Sequence, residues 1–197
     1  EVRAGVRSAL GVSECCVVVT MVGIMRPGKG HAELLAATSR VRTSPDVEMV
    51  VVAAGDGPLR TELEASVRVG SRVPIRFVGF WDDVPQLLAA SDVVVQPSLV
   101  DALPTSLIHA LAAGVPAIAS DVGGIPEIVT PDTGILVPPG DVDALAAAIS
   151  QLAAEPGARR RMGAAALRRF DAEFDAERWM GRLRALYDEV LEETARP

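Results

Sequence analysis

Six short runs of the sequence are predominantly apolar and are separated by stretches with a helical period, which constrains the fold more than any other feature. The runs are Val17–Val22, Val47–Ala54, Ile75–Val78, Val93–Gln96, Ala117–Ser120 and Ile135–Val137. A strand with one solvated face alternates polar and apolar residues, whereas an uninterrupted run must be covered on both faces. Between the runs lie helical segments at His31–Arg42, Leu59–Val69, Val84–Ala90 and Thr105–Ala113. In the second of these, Leu59, Leu63 and Val67 recur at i, i+4, i+8. Strands alternating with helices predict an α/β, Rossmann-like, doubly wound parallel sheet with right-handed crossovers.

From Asp141 onward the pattern is helical only. Asp141 reads as an N-cap before Leu145, Ile149 and Leu152. Glu155-Pro156-Gly157 reads as a break, followed by a helix over Ala158–Phe170 and another over Asp175–Glu193. The last carries Trp179, Leu183, Leu186, Val190 and Leu191 along one stripe, which needs a surface to cover. The expected organisation is a ligand-binding domain over 1–174 and a terminal helix over 175–197. That helix either packs on this domain or reaches to another.

Composition narrows the function. A formal charge of −7 opposes a nucleic-acid partner, whose phosphates need a positive surface. The local exception, Arg159, Arg160, Arg161, Arg168 and Arg169, reads as a solvated helix face, with a peripheral contact to an anionic membrane as the alternative. No apolar run reaches the roughly 20 residues of a membrane span; the longest, Met49–Ala54, reads as a buried strand. No leader is visible after Glu1. Cys15 and Cys16 fit no metal spacing and read as buried or edge thiols in a reducing, cytoplasmic compartment.

In an open parallel sheet, ligands lie beyond the carboxyl ends of the strands. The loops expected there are rich in glycine and proline: Gly23 to Gly30, Gly55 to Pro58, Pro97 to Ser106, and Asp121 to Glu127. None is the dinucleotide or P-loop fingerprint. Together they suit a diphosphate and a polyhydroxylated group. Lys29 is the only lysine in a chain whose other basic residues are all arginine, and a compact ammonium can approach a phosphate within a tight loop. On the helix opening at Thr105, the period puts Leu107, Ile108 and Leu111 toward the sheet and Thr105, Ser106 and His109 on a polar side. Its free N–H groups and dipole would face an anion. Asp101, just before it, suits hydroxyl groups, which a carboxylate accepts in pairs. His109 reads either as a hydroxyl partner or as an ordinary helix-face histidine.

Read together, these segments resemble the C-terminal domain of retaining glycosyltransferases of the GT-B fold, family 4. The family's Gly-Arg-Leu-x-x-x-Lys-Gly is similar to Gly23 through Gly30, and its Gly-x-Gly-Pro to Gly55 through Pro58. Ser91 to Ser98, Asp101 to Ala112 and Gly123 to Glu127 resemble three further motifs, the middle one containing two glutamates eight residues apart. The resemblance implies a sugar moved from a UDP-, GDP- or ADP-sugar with retained anomeric configuration, and neither cofactor nor metal. It implies that Lys29 and the helix start near Thr105 hold the diphosphate, that Asp101 and His109 stand for the paired glutamates, and that an N-terminal acceptor domain completes the enzyme. It also places Gly23, Arg26, Gly28, Gly30, Gly55, Gly57, Phe80, Leu103, Pro104 and Ser106 around the donor, the base lying near Gly79, Phe80 and Trp81. Three departures stand out: Asp101 for the first glutamate, His109 for the second, and Ile24 for the family arginine, with Arg26 as a substitute. They leave a non-catalytic sugar-nucleotide-binding or scaffold domain as the alternative function.

Overall fold

The structure, a computed structural model, describes residues 1–67 and 73–194. In chain order the elements are α1 (Val2–Ala9), β1 (Val17–Val22), α2 (His31–Thr38), β2 (Met49–Ala54), α3 (Arg60–Ser66), β3 (Ile75–Gly79), α4 (Val84–Ala89) and β4 (Val93–Gln96). They continue as α5 (Thr105–Ala112), β5 (Ala117–Ser120), α6 (Ile125–Ile128), β6 (Gly134–Val137), α7 (Val142–Ala154), α8 (Pro156–Arg169), a π-helical turn (Phe170–Phe174) and α9 (Ala176–Thr194). The six strands form one sheet in the order β3-β2-β1-β4-β5-β6, parallel at every pairing. This is the doubly wound Rossmann order, and its switch point lies between β1 and β4.

Burial on both faces explains the apolar runs of the inner strands, while the edge strand β3 keeps Arg76 exposed. Val17, Val19, Met21, Val51 and Val95 pack toward α2 and α7. The alternate residues Val18, Val50 and Val52 meet α1 and α4, and Val94, Ala117 and Ala119 meet α4, α5 and α6. Leu107 and Leu111 of α5 are buried on the sheet as the helical period requires, joined by Ala110, while Ile108 is half-buried on the same cluster.

Boundaries differ from the sequence expectation where side chains compete for the backbone. The helix expected through Arg42 ends at Thr38, where the hydroxyls of Thr38 and Ser39 donate to Leu35 O and Ala36 O. Strand β2 begins at Met49 instead of Val47, whose N–H closes a turn onto Ser44 O. Pro156, read as a break, is the first residue of α8, where its missing N–H is no loss. Asp141 does cap α7, accepting from Ala144 N. The far end of the helix expected through Val69 and residues 195–197 lie outside the described residues.

Three elements were not expected from the sequence: α1, the π turn, and α6, which begins within the segment read as a loop over Asp121 to Glu127. Helix α1 is held by Arg7, buried to 1 % exposure, which bonds Asp92 at 3.2 Å and the carbonyls of Ser13, Ala90 and Cys16. The π turn joins α8 to α9, and α9 packs chiefly on it. Trp179, Met180, Leu186, Tyr187, Val190 and Leu191 of α9 are exposed. No described helix is long and apolar enough to cross a membrane. Both cysteines are free; Cys15 is exposed, and burial pushes the buried Cys16 thiol up to about 11.

Candidate active site

The loops that leave β1 and β4 at the switch point are stitched together, and Lys29 sits at the seam. Gly28 O accepts from Leu99 N at 2.8 Å. Gly30, at φ +85°, lies so close to Pro97 that a Cβ would fall 1.9 Å from its carbonyl oxygen. No other residue permits both that φ and that approach. On the far side of the loop after β4, a Cβ on Gly123 would fall 1.8 Å from Asp101 O, and Gly124 N donates to Ala102 O at 2.7 Å. Lys29 and Asp101, 72 residues apart, are thereby brought to 2.7 Å between Nζ and Oδ2, with side-chain exposures of 16 % and 9 %. A charge-assisted bond this sheltered is stronger than a surface ion pair.

Asp101 belongs to a buried polar network. Ser98 Oγ donates to its Oδ2 at 3.1 Å, and Gln96 Nε2 reaches the same oxygen at 3.5 Å. Gln96 also donates to Ser98 Oγ at 2.8 Å and accepts from Ser106 Oγ at 3.1 Å. The last bond ties the end of β4 to the first turn of α5, which Pro104 precedes and no side chain caps. Leu107 N already donates to Pro104 O at 3.1 Å, which leaves the Thr105 and Ser106 N–H groups for an anion.

The loop after β1 is anchored through Met25, wholly buried against Ala53 and Leu63. Met25 N donates to Asp56 O and Met25 O accepts from Leu59 N, tying this loop to Gly55–Pro58. Gly23 N donates to Ala54 O, Gly55 N to Gly79 O, and Gly57 backs directly onto Met25. With Met25 inward, Ile24 and Arg26 on either side of it are both exposed. Arg26 N donates to Ile24 O at 3.0 Å, a tight turn centred on Met25, and Arg26 has no ion-pair partner among the described residues.

Other sequence-selected residues surround this core loosely. Leu103, Thr105 and His109 are exposed, Pro104 is buried, and Phe80, at 79 % exposure, projects from the end of β3. Sequence reasoning overlooked Gln96, Ser98 and His31. His31 opens α2 at 4 % exposure, and neither ring nitrogen has a hydrogen bond among the described residues. Burial, reinforced by the nearby Lys29 charge, lowers its pKa from the ordinary 6.5 to about 4, so the ring is neutral at pH 7. Two of the three, Gln96 and His31, carried a faint signal. Gln96 is a polar side chain ending an apolar strand, and His31 shares a helical face with Leu34 and Thr38. Among the described residues, no group of three or more His, Cys, Asp and Glu side chains is arranged to hold a metal ion.

The model of the family "Glycosyl transferases group 1" matches residues 16–155. The chain belongs to that family. Among its glycosyltransferase relatives is a GDP-mannose-dependent monoacylated α-(1-6)-phosphatidylinositol monomannoside mannosyltransferase of Corynebacterium glutamicum, 31 % identical over 190 residues, covering 90 % of this chain and 48 % of that protein. Among solved structures, the sucrose-phosphate synthase of Thermosynechococcus elongatus is 31 % identical with a TM-score of 0.81, covering 96 % of this chain and 49 % of that one. The Anabaena protein Alr3699/HepE, crystallised in complex with UDP and glucose, is 25 % identical with a TM-score of 0.84, covering 95 % of this chain and 52 % of that one. The chain spans about half the length of the relatives it matches.

Proposed function

We propose that this chain is the donor-binding, C-terminal half of a retaining glycosyltransferase that moves a sugar from a nucleoside diphosphate sugar to an acceptor. The supporting observation is the meeting of Lys29, Asp101 and the uncapped start of α5 at one rim of the sheet. In this reading Lys29 and the first N–H groups of α5 hold the diphosphate and stabilise the charge it gains as the glycosidic bond breaks. Gly23, Gly28, Gly30, Gly55 and Gly57 let the backbone come close to it, and Arg26 adds a second cation in place of the residue at Ile24. Asp101 and His109 take hydroxyl groups of the sugar and ribose, Leu103 and Pro104 shape the wall, and the base lies toward Phe80.

No metal ion is needed in this scheme, because the ammonium and the helix start supply the positive charge. The acceptor binds to the other half of the polypeptide, against which the apolar stripe of α9 packs. We place the enzyme in the cytoplasm, with the arginines of α8 available for peripheral contact with an anionic membrane.

Calorimetric titration of the 197-residue chain with UDP-glucose, GDP-mannose and ADP-glucose tests the reading. The expected result is weak binding of one of them, unchanged by EDTA, without transfer by the chain alone. Absence of binding to all three, and to the corresponding nucleoside diphosphates, would overturn it. Ile24 and His109 favour one second reading, a domain of the same fold that binds sugar nucleotide without turnover. In that case the complete polypeptide binds donor but forms no glycoside with any acceptor.

A further inference from the structure

Gln96 closes β4 at 1 % exposure, following three valines. A buried amide is tolerated only when its groups are paired, and here each end is engaged. The ionised carboxylate decides which end faces it. Nε2 must point at Ser98 and Asp101, because the reversed amide would set Oε1 against Oδ2, acceptor against acceptor. Oε1 then faces Ser106 and takes its hydrogen.

With the amide fixed, every hydroxyl hydrogen in the network is assigned. Ser98 receives from Gln96 and gives to Asp101. Ser106 gives its single hydrogen to Gln96 and keeps only lone pairs. All three donors to Asp101, from Lys29, Ser98 and Gln96, gather on Oδ2, and no donor among the described residues reaches Oδ1. The wall beside the ammonium therefore presents two acceptors, Asp101 Oδ1 and Ser106 Oγ, and neither Ser98 nor Ser106 has a hydrogen left to donate.

We propose that Gln96 is a specificity-determining residue: it polarises this wall into an acceptor surface for the free hydroxyl groups of the transferred sugar, and it denies the Ser106 hydroxyl to the diphosphate. The diphosphate is left to the ammonium and backbone N–H groups, which make no direct bond to Gln96. The proposal rests on the donor-binding reading above and goes beyond it in separating sugar recognition from diphosphate recognition.

The test is the ratio of dissociation constants for UDP-glucose and UDP, and likewise for GDP-mannose and GDP, measured on the 197-residue chain. In Gln96→Met, which keeps length and removes polarity, the sugar nucleotide is expected to weaken about tenfold while the nucleoside diphosphate stays within twofold. A merely structural role would move both ligands together. Ser106→Ala, which removes one acceptor without altering the strand, should raise the same ratio several-fold and serves if Gln96→Met does not fold. An unchanged ratio in the folded variants overturns the proposal while leaving the donor-binding reading standing. Failure of the unaltered chain to bind any of the four ligands overturns that reading itself.

Discussion

The two ends of β4 each hold an aspartate gripped by a cation, and the two are built to opposite purposes. At the entry, Asp92 accepts at Oδ1 from Arg3 at 2.8 Å, and at Oδ2 from Arg7 at 3.2 Å and from Val18 N at 2.8 Å. Both oxygens are taken by the chain itself, so Asp92 binds α1 and β1 to the sheet. At the exit, Asp101 crowds its partners onto one oxygen and leaves the other without a donor among the described residues. A carboxylate saturated on both oxygens is a structural rivet; one saturated on a single oxygen is positioned for something outside the chain.

The largest expected effect comes from the entry end. Asp92→Ala leaves the buried Arg7 guanidinium with only the exposed Glu14 carboxylate, 3.7 Å away, as counter-charge, and should lower unfolding free energy by about 3 kcal/mol in denaturant titration. Asp101→Asn, which keeps the shape and most hydrogen bonds, should change stability far less; equal losses would erase the distinction between the two ends.

The exit end should also be the more sensitive to acid. The folded chain refuses His31 the proton that the unfolded chain accepts near pH 6.5, so stability is complete above that pH and declines as the pH falls toward 4. The decline attributable to this residue is at most about 3 kcal/mol, and urea titrations of His31→Leu across this range should show that part of the slope removed. Next in size, Lys29→Ala should weaken UDP or GDP at least tenfold, roughly 1.4 kcal/mol; an unaltered calorimetric isotherm would take Lys29 out of the site. Smallest is His109→Glu, expected to tighten sugar-nucleotide binding a few-fold and to raise the melting temperature in its presence.

How much of this the sequence revealed follows from the range of the forces involved. Strands buried on both faces write themselves as apolar runs, so the sheet and its C-terminal loops were legible. The juxtaposition of Lys29 and Asp101 followed from topology and glycine placement, because parallel strands deliver both loops to one rim. Helix α1 was not legible: Gly5 interrupts its short amphipathic pattern, and its attachment is an arginine–aspartate contact across more than eighty residues. The hydrogen-bond assignments around Gln96 were equally hidden, since they depend on which oxygen of Asp101 faces which neighbour. The end of α2 misled because hydroxyl groups at Thr38 and Ser39 satisfy carbonyls without lengthening the helix.

The contact between Gly30 and Pro97 fixes more than the ammonium. Two main chains pressed together with no room for a single methyl cannot slide past one another, lengthen or exchange register. Remodelling this rim for a different ligand must therefore proceed through outward side chains such as Ile24, Arg26, Leu103 and His109. Grafted or inserted loop residues here would pry the seam open, whereas libraries confined to those four positions would leave it closed.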